Sequence, residues 1–225
     1  MLKRLYFISL AFLFLFSGIA VYGFVVQPTV LTKGKKAPSK SKSQFQEGDI
    51  IFQSSMSGQS HAIQLATNSK YSHCGILLKN KQGELQVLEA VQPVKFTPIK
   101  EFIRRGDDQH YVVKRLSNSQ SILTDSIKNE MHNLAMAFLD KDYDLKFEWS
   151  DEKMYCSELV WKIYERTTGL RLGEPQPLKS YSLDNQVVKK KMEERYGKDI
   201  PWNEPMVAPS TIFDFEKLEE VKQSQ

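Results

Sequence analysis

Met154-Tyr155-Cys156-Ser157-Glu158-Leu159-Val160-Trp161 is the stretch on which the reading of this chain turns. A polar loop runs here into an amphipathic helix. Cys156, Leu159, Val160 and Ile163 recur at i, i+3, i+4 and i+7, so one helix face carries a thiol together with core contacts. A thiol in the first turn of a helix sits among unpaired N–H groups at the positive end of the helix dipole. Both lower its pKa and favour the nucleophilic thiolate. The plainer reading is a small core cysteine, since free cysteine is among the most buried residue types. The two readings part on whether a base stands nearby.

The chain has four histidines. His73 opens an apolar strand in Tyr71-Ser72-His73-Cys74-Gly75-Ile76-Leu77-Leu78. Alternation puts His73, Gly75 and Leu77 on one face and Cys74, Ile76 and Leu78 on the other. On the next strand, residues 85–91, Leu85, Val87, Glu89 and Val91 share a face. Glu89 is thus a carboxylate on an otherwise apolar side, and it needs a donor. A hairpin register with Glu89 opposite His73 supplies one and orients the imidazole. A slip of one residue separates them. An edge glutamate in water is the alternative. Cys74 points away from His73, which argues against its pairing with Cys156. His61 and His132 on predicted helices, and His110 at a strand start, fit a catalytic role less well.

In these roles His73 takes the proton of Cys156 and the thiolate attacks an acyl carbon. The N–H of Cys156, helped by Tyr155, is a candidate oxyanion site. There is no C-x-x-C, no H-E-x-x-H, no close His pair and no Gly-rich phosphate loop. No metal and no cofactor are expected.

The 225 residues suffice for one domain and an N-terminal extension. A hydrophobic content of 41% with 26% charged residues reads as globular. The net charge of +4 is not gathered into a basic patch with interleaved aromatics, which argues against nucleic acid as a partner. Residues 5–26 are uncharged, follow Lys3 and Arg4, and are long enough to span a bilayer. Residues 1–26 are therefore expected to be a signal peptide or membrane anchor, with export to the periplasm or cell envelope. Lysine-rich residues 27–44 read as a linker, and 45–225 as the domain. Two cysteines exclude a disulfide scaffold.

Within the domain, strands are expected over 50–52, 73–79, 85–91 and 110–116. Helices are expected over 57–68, 98–105, 121–139, 154–168 and 185–196, with Gly169 ending the fourth of these. The region beyond 196 reads as an irregular tail. Mixed helices and strands around an antiparallel core make the fold class α+β.

Five blocks together resemble a known family: Gly48-Asp49-Ile50-Ile51-Phe52, Ser72-His73-Cys74-Gly75-Ile76, Leu88-Glu89-Ala90, Tyr143-Asp144, and Tyr155-Cys156-Ser157-Glu158-Leu159-Val160. The chain is similar, over about residues 45–170, to the YiiX-like branch of the circularly permuted papain-like cysteine hydrolases, relatives of the NlpC-type cell-wall peptidases. In unpermuted enzymes the cysteine helix precedes the histidine strand; here the order is reversed. The resemblance implies a permuted papain-like fold, Cys156 as nucleophile, His73 as base and Glu89 as the orienting third residue. It places Tyr143 and Asp144 near the site, with Tyr143 a candidate for oxyanion or substrate binding. The implied activity is cleavage of a peptide or cell-wall-type amide through a thioester. A lipid-directed thiol acyltransferase or esterase, with an acyl-lipid substrate, and a non-enzymatic envelope binding domain stand as alternatives. Residues 5–26, if uncleaved, would hold the protein at a membrane.

Overall fold

The computed structural model describes residues 45–223. The expected signal or anchor and the linker lie outside the described residues. The first turn is set by Gly48, whose φ of 87° suits glycine. Its carbonyl accepts a hydrogen bond from the buried Tyr164 hydroxyl. Asp49 follows, fully buried, and takes a two-pronged contact from Arg115 at 2.6 and 2.8 Å. The Gly-Asp pair thus anchors the fold rather than the chemistry.

From this anchor β1 (Ile50–Gln53) runs through the core with every residue buried. It is the centre of a six-stranded sheet. To one side lie β2 (His73–Lys79), β3 (Leu85–Glu89) and the short β4 (Lys95–Thr97); to the other lie β5 (Tyr111–Leu116) and β8 (Leu218–Gln223). All pairings are antiparallel, in the order β4-β3-β2-β1-β5-β8. A second, two-stranded sheet joins β6 (Gln176–Pro177) to β7 (Pro205–Met206).

The helices divide between the two sheet faces. Leu77, Val87 and Val113 pack under α2 (Ile99–Arg105) through Phe102. Cys74, Ile76, Leu78 and Leu88 pack on the other face against α4 (Asp125–Phe138) and α5 (Cys156–Thr168). Nine consecutive residues of α5, Cys156 to Tyr164, are buried. Gly169, at a left-handed φ of 73°, ends it. α1 (Gly58–Thr67) lies against α6 (Gln186–Tyr196), with a small apolar cluster of Leu178, Val188 and Met192 beneath them. This is the expected α+β arrangement, with an antiparallel sheet against the cysteine helix.

Three expectations change. The helix expected over 121–139 is two: α3 (Ser119–Ile122) and α4, separated where Thr124 accepts from the Ile127 N–H and starts the chain afresh. The strand expected over 85–91 stops at Glu89. The tail is not irregular throughout, for it contains α7 (Pro209–Phe213) and β8. β8 carries Glu219, Glu220 and Lys222 on an exposed edge, where charge discourages pairing with other chains but also hides the strand from hydrophobic pattern reading.

Candidate active site

His73 and Glu89 come together as the alternation requires. Leu77 pairs with Val87 and Lys79 with Leu85, so the two strands share the predicted face. The register differs from expectation. Ile76 pairs with Leu88, which carries Glu89 to the level of Gly75 rather than His73. The diagonal is bridged because Gly75 has no side chain: a Cβ there would meet Val87 at 2.4 Å and Glu89 at 3.4 Å. The Glu89 carboxylate reaches over this gap to His73 Nε2 at 2.6 Å. The imidazole also stacks on Phe102, 5.6 Å between ring centroids.

Glu89 has two further donors that the sequence did not announce. Thr97 Oγ1 donates to its Oε1 at 2.6 Å, and Arg105 forms an ion pair with the same oxygen. Burial works against the charge of this fully enclosed carboxylate. His73, Thr97 and Arg105 outweigh burial and hold its pKa below the usual value. β4 exists at three residues' length, and its contribution is Thr97.

Cys156 is the first residue of α5 and is buried. With Nε2 of His73 taken by Glu89, Nδ1 is the ring nitrogen left for the thiol. Burial alone would lower His73, but the charge and hydrogen bonding of Cys156, then of Glu89, push its pKa up to about 10. The Cys156 pKa moves well below the ordinary thiol value. The largest cause is a hydrogen bond from the Cys74 thiol, opposed by burial and reinforced by the charge of His73 and the Cys74 backbone. The two shifts run in the directions that favour a thiolate beside an imidazolium.

Cys74 and Cys156 are not joined to each other, yet they are neighbours. The strand face of Cys74 is indeed opposite to that of His73, but α5 packs on the Cys74 face. Cys156, at the helix start, borders Cys74 from that side and His73 around the first residue of the strand. Both cysteines are free thiols. Burial, and then Cys156, raise the Cys74 pKa well above its ordinary value.

The two tyrosines are placed differently. Tyr155 lines the cleft, but its N–H lies 3.4 Å from Glu158 Oε2 and its hydroxyl accepts from the Val207 N–H at 3.2 Å. Its N–H and the acceptor side of its hydroxyl are thus engaged within the protein. Tyr143 stands beside Cys156, and its hydroxyl accepts from Gln59 Nε2 at 2.9 Å. Burial and the thiolate raise its pKa, so it keeps its proton. Asp144 shapes the loop that presents Tyr143, accepting from the N–H groups of Lys146 and Glu148.

Two cavities meet at Tyr143. One, partly open to solvent, runs from Cys156 between α1 and α6 and is walled by apolar groups such as Ile63, Leu178, Val188, Met192 and Val207. The other, also partly open, lies beside His73 and is rich in hydroxyl and amide groups: Gln53, Ser55, Ser57, Ser60 and Ser72. The apolar wall is largely built from residues beyond 170, where the family pattern left the sequence silent.

This combination of a cysteine-first helix, a histidine-first strand and reversed chain order matches one family model, that of the permuted papain-like amidase enzymes, YaeF/YiiX, C92 family, over residues 44–222. The chain belongs to that family. It is an enzyme of the cysteine amidase and peptidase type. The uncharacterized protein YiiX of Escherichia coli (strain K12) is 47% identical over 176 residues, covering 78% of this chain and 85% of YiiX. A crystal structure of a protein described as metalloprotein yiiX, from Escherichia coli O157:H7, superposes with a TM-score of 0.75 at 46% identity, covering 80% of this chain and 98% of that one. Among the described residues here, no group of three or more His, Cys, Asp or Glu side chains is arranged to hold a metal ion. The donors at the cleft are turned to one another: Nε2 of His73 to Glu89, and Cys156 to His73 and Cys74. They do not fit a metal centre, and no chemical step is assigned to one. Among the same residues, no helix is long and apolar enough to cross a membrane.

Proposed function

We propose that the protein is a thiol amidase in which Cys156 is the nucleophile, His73 the acid and base, and Glu89 the group that orients and charges His73. The placement of Cys156 at the start of α5 beside His73, whose Nε2 is held by Glu89 at 2.6 Å, carries this reading, and the directions of both pKa shifts agree with it. The thiolate adds to an acyl carbon; the oxygen takes up negative charge between the Cys156 N–H and the Tyr143 hydroxyl. His73 then delivers its proton to the departing amine, leaving a thioester. Water, deprotonated by His73, hydrolyses that thioester and restores the thiol. Tyr155 lines the cleft next to the nucleophile.

The two cavities assign the halves of the substrate. An apolar acyl portion suits the cavity beyond Cys156. A leaving amine bearing hydroxyl, amide or anionic groups suits the serine-lined cavity beside His73, with Arg105 at its edge. A peptide or cell-wall-type amide with a hydrophobic residue on the acyl side meets both demands, and an exported location, expected from residues 5–26, would bring such amides within reach. A second reading is favoured by the apolar cavity specifically: a lipid acyl group as the donor, cleaved or transferred from an ester.

The experiment is a comparison of acyl donors by intact-protein mass spectrometry, following thioester formation on Cys156. Peptide amides with hydrophobic acyl-side residues should give a transient adduct absent in Cys156→Ala. Adduct from phospholipid alone would select the second reading. Turnover surviving in Cys156→Ala would overturn both.

A further inference from the structure

Tyr143 can stabilise an acyl oxygen only if its O–H bond points at it. A phenol hydrogen turns freely about the C–O bond, and whatever binds the oxygen from outside decides where that hydrogen goes. The binder is Gln59 on α1, 2.9 Å away through Nε2. A carboxamide is nearly symmetric in shape but opposite in polarity at its two ends. Turned the other way, Gln59 would present an oxygen and draw the phenol hydrogen out of the site.

The end presented is set by a third residue. Arg195 on α6 places Nη2 3.3 Å from Gln59 Oε1. A guanidinium has five N–H donors and no acceptor. It accepts only the oxygen end of the carboxamide, so the NH₂ end must face Tyr143. Arg195 is itself held, its guanidinium 4.1 Å above the Phe147 ring. Polarity thus runs one way: Arg195 donates to Gln59, Gln59 donates to Tyr143, and the Tyr143 hydrogen is left for the Cys156 side.

We infer that Gln59 and Arg195 are positioning residues that fix the direction of the Tyr143 O–H bond toward the acyl oxygen at Cys156. The inference rests on Cys156 and Tyr143 having the roles proposed above. Gln59 and Tyr143 line both cavities, and Arg195 lines the apolar one. An acyl group seated in the apolar cavity therefore lies against the residue that starts the relay.

The test uses the full-length chain with two probes. p-Nitrophenyl butyrate reports acylation, which develops an oxyanion. Iodoacetamide reports alkylation of Cys156, which develops none. Gln59→Glu keeps the size and the Arg195 contact but offers an acceptor to Tyr143. It should slow acylation about 100-fold, the low end of the range for losing one oxyanion donor, with KM nearly unchanged. Alkylation should stay within about twofold of wild type. Arg195→Met, which frees the carboxamide to turn, should cause a smaller loss of the same kind, and it serves if Gln59→Glu does not fold. On a Tyr143→Phe background neither change should slow acylation further. Wild-type acylation in both variants, equal loss of both probe reactions, or undiminished loss on the Tyr143→Phe background would overturn the relay. If Tyr143→Phe acylates normally, or Cys156→Ala acylates at all, the failure lies in the underlying site assignment instead.

Discussion

The strand wall and the helix wall of the cleft each bury one carboxylate, and the two are held in different states. Glu89 on β3 and Glu158 on α5 are both shielded completely from solvent. Glu89 meets three donors and is held below the ordinary carboxylate range. Glu158 lies two residues after Cys156, the proposed nucleophile. Burial raises it to about 7, against the opposing pull of Lys162 and the Tyr155 N–H, with Asp144 adding repulsion. Lys162 Nζ is 2.7 Å from Glu158 Oε1 but also donates to the Ser150 carbonyl and to Asp151, so its charge is shared between two carboxylates. Burial is the same on both walls; the number and aim of donors differ. One wall keeps a fixed charge for His73 to lean on. The other keeps a carboxylate that takes up a proton near neutrality, beside a thiolate that a second negative charge would oppose.

The sharpest break of this comparison comes from removing the helix wall's own charge. Cys156→Ala should fold, lose turnover entirely, and let the His73 pKa fall well below about 10, read by NMR titration of the ring. A ring that still titrates near 10 would mean that Glu89 alone sets it. Glu89→Gln should cost roughly 100-fold or more in acylation rate, the scale of general acid–base catalysis, while a melting curve still shows a folded protein. Unchanged kinetics would remove Glu89 from the mechanism. Lys162→Met strips Glu158 of its cation and should destabilise the fold by about 3 kcal/mol, measured by urea unfolding at neutral pH, with the loss shrinking in acid as Glu158 becomes neutral.

Glu158 also predicts a slope. Its folded pKa of about 7 lies above the ordinary 4.5, so between those values the folded chain holds a proton that the unfolded chain has released. That contribution to stability is complete below 4.5 and is lost as pH rises through 7. Glu158→Gln should flatten the curve there. The smallest effect expected is none. Between the ordinary histidine value of 6.5 and the ordinary thiol value of 9.0, the folded pair holds its one proton on His73 and the unfolded pair holds it on Cys156. The proton counts match, so this pair should leave stability flat across that window while alkylation of Cys156 remains fast throughout it. Alkylation that rises tenfold per pH unit up to 9 would mean an ordinary thiol.

What could be read in advance follows from range. The Cys156 helix and the His73 strand carry their signals in neighbouring residues, as 3.6- and 2-residue periods, and those elements came out as expected. Glu89 was found because a carboxylate interrupts an apolar face. Thr97 was not, because a three-residue strand has no period to show. Arg105, Gln59 and Arg195 look like ordinary surface residues in one dimension, and their partners are chosen by packing between distant elements. The closeness of Cys74 to Cys156 was missed for the same reason: alternation tells which face a side chain takes, not which helix will lie on that face.

The placement of β1 has a consequence for how the enzyme comes into being. β1 and β2 lie together in the sheet, and the histidine wall is drawn from the first half of the domain. Cys156 follows much later, and the apolar cavity waits for α6 and β7. During synthesis from the N-terminus the proposed base, His73, is made before the thiol it would activate. The thiolate depends on contacts between chain segments far apart, whose loop-closure cost is met only when most of the domain is assembled. A half-made chain therefore carries an unarmed cysteine, and chemical reactivity itself becomes a sign that folding is complete.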